Sequence, residues 1–399
     1  MHPSETIRFA KGRELEGKLI VLGMTGSIAA VESFELVREL IRHGAEVQVV
    51  MTPEAQRLMT PEAMEFASGR AVITKLTGAT EHVSLLGDYP GRADMFLVSP
   101  CTANTISKMA LGIDDTPVTT MATLAIGTHT LMLVAPAMHL AMFENAAVQR
   151  NVLALKDMGV ELVGPVLVGK KARVASVEEI VDKVLAMFSK GDLCGRKVLI
   201  IGGSSEEPVD SVRVVSNTGT GATAAEMVRV ARQRGAEVEL WAGRMSVPVP
   251  TGIPVRSFRS VEDLVSMVGE VDHDVVIVPA SLSDYAPTKI AGKMPSGKSS
   301  VDLELHPLPK VLPLLRPRTK VLVGFKAEVG VSPAVLSKRA VSRLKEYGLD
   351  MIVANDLEDV GQGSTKAIII TADGGRKKYE GDKRGLADAV LDEAVKVLG

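Results

Sequence analysis

Lys18-Leu-Ile-Val-Leu-Gly23 runs into Met24-Thr-Gly-Ser-Ile-Ala-Ala30, and the same grammar returns at Lys197-Val-Leu-Ile-Ile-Gly202, followed by Gly203-Ser-Ser205. In each place an apolar run of strand length ends at glycine and a small-residue loop follows. An amphipathic stretch then closes at Gly44-Ala-Glu-Val47 or Gly235-Ala-Glu-Val238. The pattern predicts strand, loop, helix, glycine C-cap and second strand. Two such starts predict two nucleotide-binding-type domains, each with its own sheet. Lys18 to Gly44 spans 26 residues and Lys197 to Gly235 spans 38, so the second copy carries 12 more, in a long loop rich in Ser, Pro, Asn, Thr and Gly. The boundary is expected near Ser189–Arg196, where Lys190-Gly-Asp breaks a helical pattern. That divides the chain into 1–190 and 191–399.

Composition supports this outline. A chain of 399 residues holds two or three domains at roughly 150 residues each. Lys plus Arg is 46 against 48 Asp plus Glu, a net charge of -2, without the basic excess of a general nucleic-acid binder. The apolar fraction of 46% excludes disorder, and with aromatics at only 3% it rests on Val, Ala, Leu, Ile and Met. Such a chain, rich in glycine, suits parallel α/β sheets buried on both faces. Two cysteines, Cys101 and Cys194, exclude a disulfide scaffold and a Cys-rich zinc site. The polar start from Met1 to Lys11 shows no secretory signal. No apolar run reaches the ~18 residues of a membrane span. The expectation is a cytoplasmic protein without nucleic-acid or membrane partners.

Further strands are expected near Met95–Ser99, Thr130–Ala135, Asp274–Val278, Lys320–Val323 and Asp350–Val353. Each runs into a candidate ligand loop: Pro100-Cys-Thr-Ala-Asn104, Pro136-Ala-Met-His139, Pro279-Ala-Ser-Leu-Ser-Asp284, Gly324-Phe-Lys-Ala-Glu328 and Ala354-Asn-Asp356. Ligands of open α/β sheets bind at the carboxyl ends of strands, which points at these loops. Ala367–Thr371, Asp373-Gly-Gly and Lys377–Tyr379 read as a hairpin, and a last helix is expected over Gly385–Leu398.

The first loop is not GxGxxG, and the second strand ends at Thr52 without an acidic residue for a dinucleotide ribose. A mononucleotide such as FMN therefore fits better than NAD, although an ordinary tight turn would read the same way. Thr102 and Asn104 suit either a phosphate or a helix cap. Cys101 alone reads as a packed residue. His82, in Glu81-His-Val-Ser-Leu85 between a Gly/Thr loop and the next strand, and His139 are not spaced as HExxH, so no metal site is read. In the second half Gly202-Gly-Ser-Ser205 and Ser216-Asn-Thr-Gly-Thr-Gly221 are two phosphate-type elements without the GK[ST] of a Walker loop. Asp284-Tyr-Ala-Pro-Thr-Lys289-Ile-Ala-Gly-Lys293 reads as a solvated loop or as a phosphate clamp.

Taken in order, these motifs resemble one family: the bifunctional phosphopantothenoylcysteine decarboxylase/phosphopantothenate–cysteine ligases of coenzyme A synthesis, in their archaeal type. The resemblance runs from about Lys18 to the C-terminus. It implies two Rossmann-like three-layer α/β domains, a flavodoxin-like flavoprotein domain followed by a ligase domain. In the first, Gly26, Ser27, Ile28, Thr52, Ser99, Thr102 and Asn104 match flavin-holding positions, which implies FMN. His82 matches the active-site histidine, and His139 stands where bacterial members have Asn, as a contact for the substrate carboxylate. A cysteine amide has no electron sink for losing CO2. Flavin oxidation of its thiol, assisted by a base, provides one as a thioaldehyde, and hydride returns afterwards.

The second domain implies CTP, with an acyl-cytidylate formed from 4'-phosphopantothenate and then attacked by cysteine. Val278, Pro279, Ala280, Asp284, Lys289 and Phe325 match CTP-contacting positions, and Gly203 and Ser204 are the phosphate loop. Pro309, Lys310 and Val311 match a CTP segment that is usually Asn-Pro-Asp-Ile. Asn217 matches a residue acting on the acyl-cytidylate. The family's two later lysines fall at Arg343 and Tyr347, with Lys345 as a substitute for the second. Mg2+ is implied with the triphosphate. Decarboxylase trimers with flavin between subunits and ligase dimers are implied too, together building up to a dodecamer. The substrate flap, Gly164–Arg173, lacks the bacterial proton-donating cysteine, leaving Lys170, Lys171 and His139 as candidate acids. That absence motivates an alternative: a ligase whose flavin domain is an assembly or regulatory module.

Overall fold

The computed structural model describes residues 2–168, 171–250, 252–294, 300–356 and 365–399. They form two compact units, Met1–Ser189 and Lys190–Gly399.

The first unit is built on β1 (Leu19–Met24), β2 (Glu46–Met51), β3 (Met95–Cys101) and β4 (Leu131–Pro136), with β5 (Met138–His139) and β6 (Glu161–Leu162) after them. The main sheet has the order β2-β1-β3-β4-β6 and is parallel throughout. β7 (Val166–Val168) and β8 (Lys171–Arg173) form a small antiparallel sheet with β5. The helices are α1 (Ser33–Arg42), α2 (Pro61–Ser68), α3 (Glu81–Leu86), α4 (Ala103–Leu111), α5 (Pro117–Gly127), α6 (Ala146–Asp157) and α7 (Val177–Phe188). Successive strand residues point to opposite faces, and both faces are apolar here. Ile20, Leu22, Met95 and Leu97 pack with Leu36, Leu40, Met64 and Val184 of α1, α2 and α7. Val21, Phe96 and Val98 pack with Leu86, Ile106, Met121 and Leu155 of α3 to α6. This is why the strands read as unbroken apolar runs.

The second unit repeats the plan around β9 (Lys197–Gly202), which is followed by β10 (Glu206–Pro208), β11 (Val214–Ser216), α8 (Ala222–Gln233), β12 (Glu237–Ala242) and β13 (Val255–Ser257). Then come α9 (Val261–Met267), β14 (Val275–Val278), β15 (Tyr285–Pro287), β16 (Leu305–Pro307), β17 (Val321–Glu328) and α10 (Pro333–Tyr347). β18 (Met351–Asp356), β19 (Thr365–Thr371), β20 (Arg376–Gly381) and α11 (Lys383–Leu398) complete it. The large sheet runs β13-β12-β9-β14-β17-β18-β19-β20, and its last two strands are the expected antiparallel hairpin. α8 and α11 cover one face, α9 and α10 the other. Gly202 packs so tightly under α8 that a Cβ there would stand 2.2 Å from the Ala224 Cβ.

Three expectations are corrected. The 12 extra residues of the second copy are not all loop, for β10 and β11 pair as an antiparallel ribbon. Gly324–Glu328 and Ala354–Asp356 are strand, because β17 and β18 stay paired from Val323↔Met351 to Glu328↔Asp356 and satisfy each other's backbone groups. Glu81–Leu85, expected only as a link to the next strand, is most of α3.

Glu39 of α1 anchors the N-terminal segment. Burial pushes its carboxyl up, but hydrogen bonds from His43, Lys11 and Arg42 outweigh this and hold it at about 2. A pKa lowered on folding adds stability that is full above the ordinary value of 4.5 and is lost as pH falls toward 2. Glu39→Gln is therefore expected to cost this unit about 2 kcal/mol at pH 7. The deficit should close near pH 2, read by hydrogen exchange of the β1 and β2 amides.

Candidate functional site

In the first unit the carboxyl-end loops are fastened into one shelf. The Thr52 N–H donates to the Met24 carbonyl at 3.0 Å, and the Thr25 hydroxyl donates to the Pro100 carbonyl at 2.7 Å. The Thr102 N–H donates back to Thr25 Oγ1 at 3.1 Å, and the Ala137 N–H to the Cys101 carbonyl at 2.8 Å. The strand order changes direction between β1 and β3, the place where a doubly wound sheet opens a crevice. The shelf lies across that crevice. Ser27, Thr52 and Thr102 each begin a helical turn and accept from its free N–H groups, at Ala29, Ala55 and Thr105. Ser99 is buried at the end of β3 and its carbonyl accepts from the Ser33 hydroxyl. Asn104 is exposed, as are Gly26 and Ile28, the last at 74%. At Gly26 a Cβ would stand 2.5 Å from the Glu54 Cβ, so the loop closes down on the turn after β2 only as glycine.

The two histidines are placed differently. His139 caps the turn Leu140–Phe143, its Nδ1 accepting from the Ala141 N–H at 3.2 Å, and its backbone pairs with that of Lys171. Lys170 lies outside the described residues. His82 lies on α3, and its Nδ1 is buried with no hydrogen-bond partner among the described residues. A buried ring nitrogen left without a partner suits a group that binds later. Cys101 is fully buried, and burial pushes its thiol pKa far up. It is packing, not a nucleophile.

The second unit holds a cleft of about 620 Å3 at the carboxyl ends of β9, β14, β17 and β18. Gly203, Asn217, Val278, Pro279, Ala280, Asp284, Pro309, Lys310, Val311, Phe325 and Arg343 all line it. Gly203 has φ +79°, and a Cβ there would meet the Arg244 carbonyl at 2.7 Å. The Asn217 amide donates through Nδ2 to the Ser281 carbonyl at 3.1 Å, which leaves Oδ1 as its acceptor. Asp284 and Lys310 form an ion pair.

Two expected contacts lie elsewhere. Ser204 is fully buried, its hydroxyl donating to the Gly219 carbonyl at 3.0 Å, so it fastens two loops together rather than facing the cleft. Lys289 is exposed beyond β15 and is not part of the cleft wall.

Residues 8–189 match the flavoprotein family, and residues 193–398 match the DNA/pantothenate metabolism flavoprotein C-terminal domain. The whole chain aligns with the whole of the coenzyme A biosynthesis bifunctional protein CoaBC of Thermococcus kodakarensis, 41% identical over 404 residues. The chain belongs to this family. It is also 34% identical to the CoaBC of Methanocaldococcus jannaschii, over 100% of this chain and 98% of that one. Among solved structures it is similar to the C-terminal domain of a CoaBC, at 26% identity and a TM-score of 0.44, over 52% of this chain and 98% of that one.

The cleft wall carries several cations. Arg343 Nη1 donates to the Tyr347 hydroxyl at 2.6 Å, its guanidinium 4.9 Å from that ring. Both line the cleft, whereas Lys345 is exposed and does not. Its place on α10 rules it out as the substitute, because residues two apart on a helix face different ways. Two cleft lysines escaped the sequence reading. Lys326 follows Phe325 on β17 and pairs with Glu328 at 3.1 Å. Lys383 is the first residue of α11 and has no ion-pair partner among the described residues. Starting that helix at Gly385 hid it; Asp382, the N-cap, was the available signal.

Alkylation should distinguish the two cysteines. Iodoacetamide on the native protein is expected to modify exposed Cys194 and to spare Cys101 until denaturant is added, read by peptide mass spectrometry.

Proposed function

We propose that the second unit joins 4'-phosphopantothenate to cysteine at the expense of CTP, and that the first decarboxylates the product to 4'-phosphopantetheine. The observation that carries this reading is one chain with both a fastened shelf and a cationic cleft, aligned from end to end with bifunctional relatives. That alignment also disfavours the ligase-only alternative, since it spans the flavoprotein half as fully as the other.

In the cleft the pantothenate carboxylate attacks the α-phosphorus of CTP, and the bond to the β-phosphate breaks with release of pyrophosphate. The cysteine amine then attacks the acyl carbon of the acyl-cytidylate. CMP leaves, and the amine gives up a proton. We assign Val278–Ala280, Asp284 and Phe325 to the nucleotide, with Arg343, Lys326 and Lys383 drawing its phosphates. Asn217 Oδ1 serves the acyl transfer from the cleft wall, and the Lys289 amine, which stands outside that wall, reaches in from its exposed arm. Among the described residues no three His, Cys, Asp or Glu side chains come together as a metal site. We place Mg2+ with the phosphates and water.

In the first unit we assign Gly26, Ser27, Ile28, Thr52, Ser99, Thr102 and Asn104 to FMN. The open loop at Gly26 and the orphaned Nδ1 of His82 fit such a group. When bound, FMN supplies the reversible oxidation that gives decarboxylation an electron sink. His82 holds and moves the proton of the substrate thiol, and exposed His139 meets its carboxylate. A homo-oligomer in the cytoplasm completes the proposal: decarboxylase trimers and ligase dimers, up to a dodecamer. Among the described residues no helix is long and apolar enough to cross a membrane.

The decisive experiment supplies 4'-phosphopantothenate, cysteine, CTP and Mg2+ and follows products by mass spectrometry. 4'-Phosphopantetheine is the expected product. Accumulation of 4'-phosphopantothenoylcysteine alone would restore the ligase-only alternative. His82→Asn is expected to slow CO2 release by about 100-fold or more while ligation continues, and Lys289→Gln to do the reverse. Loss of both activities from either change would contradict two separate sites. Lys383→Ala is expected to raise the KM for CTP about tenfold, the loss of one charge-assisted contact, measured by pyrophosphate release.

A further inference from the structure

We infer that Asp210 is a positioning residue of the ligase reaction, tying the arm that carries Lys289 to the ribbon that leads into Asn217. The inference rests on the ligase reading above and names a residue that reading does not use.

Asp210 stands at the turn of the β10–β11 ribbon and is 2% exposed. Its Oδ1 accepts from the Val212 and Arg213 N–H groups, both at 2.7 Å. That much is an ordinary side-chain turn closing a hairpin. Its Oδ2 does something else. It accepts at 3.0 Å from the N–H of Met294, 84 residues away, and also from Arg213 Nη1. Arg213 Nη1 donates in turn to the Met294 carbonyl at 3.3 Å.

Two backbone bonds extend the seam. The Ile290 N–H donates to the Val209 carbonyl at 2.8 Å, and the Ser211 N–H to the Gly292 carbonyl at 2.9 Å. The chain from Lys289 to Met294 is thus stitched to the ribbon at three points, one of them the carboxylate. These bonds, those from Met294 and Arg213 first, hold the Asp210 carboxyl far below the usual range, so it stays ionised.

The other end of the ribbon leads to the cleft. β11 ends at Ser216, whose hydroxyl donates to the Ser205 carbonyl at 2.7 Å, and Asn217 follows on the cleft wall. Lys289 is exposed and has no side-chain partner among the described residues, so only its backbone fixes where the amine can reach. Reaction rates fall steeply when a catalytic group is misplaced by even about 1 Å. The 12 residues by which the second copy exceeds the first therefore have a use. They build a ribbon that ties the backbone of the Lys289 arm to the strand leading into Asn217.

Asp210→Asn in the full-length holoenzyme tests this. An asparagine can keep its oxygen on Val212 and Arg213 but turns an amide N–H toward the Met294 N–H. The expected results are amide exchange at Ile290 and Met294 at least tenfold faster, a ligase kcat at least tenfold lower, and a smaller change in the KM for CTP. Decarboxylation of supplied 4'-phosphopantothenoylcysteine should be unchanged. Asp210→Asn added to Lys289→Gln should cost no more than Lys289→Gln alone, since both act through one amine. Additive losses, or a freed arm with unchanged kcat, would overturn the proposal. If Asp210→Asn does not fold, Met294→Pro removes the N–H that reaches Oδ2, while also fixing φ there, and an unchanged kcat there overturns it equally. A wild-type protein that makes no 4'-phosphopantothenoylcysteine would instead defeat the ligase reading, while the exchange result would still report the seam.

Discussion

A parallel strand buried on both faces gives up every side chain to packing, and in both units this is the constraint on which the rest depends. Ile20, Val21 and Leu22 alternate between two cores, as do Val198, Leu199 and Ile200. Over the stretch buried on both faces no side chain is left for chemistry. What remains is the edge where strands end and helices begin, with its free N–H groups and its short polar residues. The shelf and the cleft are both made there. The first unit shows how little is needed, since the one hydroxyl of Thr25 and a few backbone groups fasten four loops.

The two units use the same start for different purposes. After β1 the chain passes almost at once into a helical turn, and the loop stays close to its neighbours, with Gly26 against Glu54. After β9 it makes the ribbon before entering α8, which moves Asn217 out over the ends of β9 and β14. The first arrangement makes a shallow ledge and the second a walled cleft. The wall also draws on later elements: Phe325 and Lys326 from β17, Arg343 and Tyr347 from α10, and Lys383 from the first turn of α11.

Much of this was legible beforehand, for physical reasons that differ by residue. Gly203 could be read because its left-handed backbone over Arg244 demands glycine. The strands could be read because burial on both faces leaves an uninterrupted apolar run. Ser204 misled because a buried serine fastening Gly219 and a serine facing a phosphate look alike in a glycine-rich loop. β17 and β18 were expected to end early because Phe325, Lys326, Asn355 and Asp356 break the apolar run, and pairing between neighbours is invisible in either strand alone. Asp382 marked the helix start that carries Lys383, but its place on the cleft wall and the Asp210 contact to Met294 depend on residues far apart in the chain, which no local pattern announces. The cleft residues from Val278 to Asp284 lie in one loop, and there sequence order and spatial order coincide.

Cys101 carries a consequence for the chemistry of thiols. On the proposed function the substrate and product both bear sulfhydryl groups, and the protein meets free cysteine at working concentrations. Thiol–disulfide exchange needs a thiolate that can be reached. Cys101 offers neither ionisation nor access, although it lies within the shelf between Pro100 and Thr102. A mixed disulfide with substrate cannot form at that ledge, so oxidation of the surrounding pool does not poison the site from within. The Cys101 thiol is silent beside the shelf, so among the described residues no protein thiol competes there with the substrate's own sulfur.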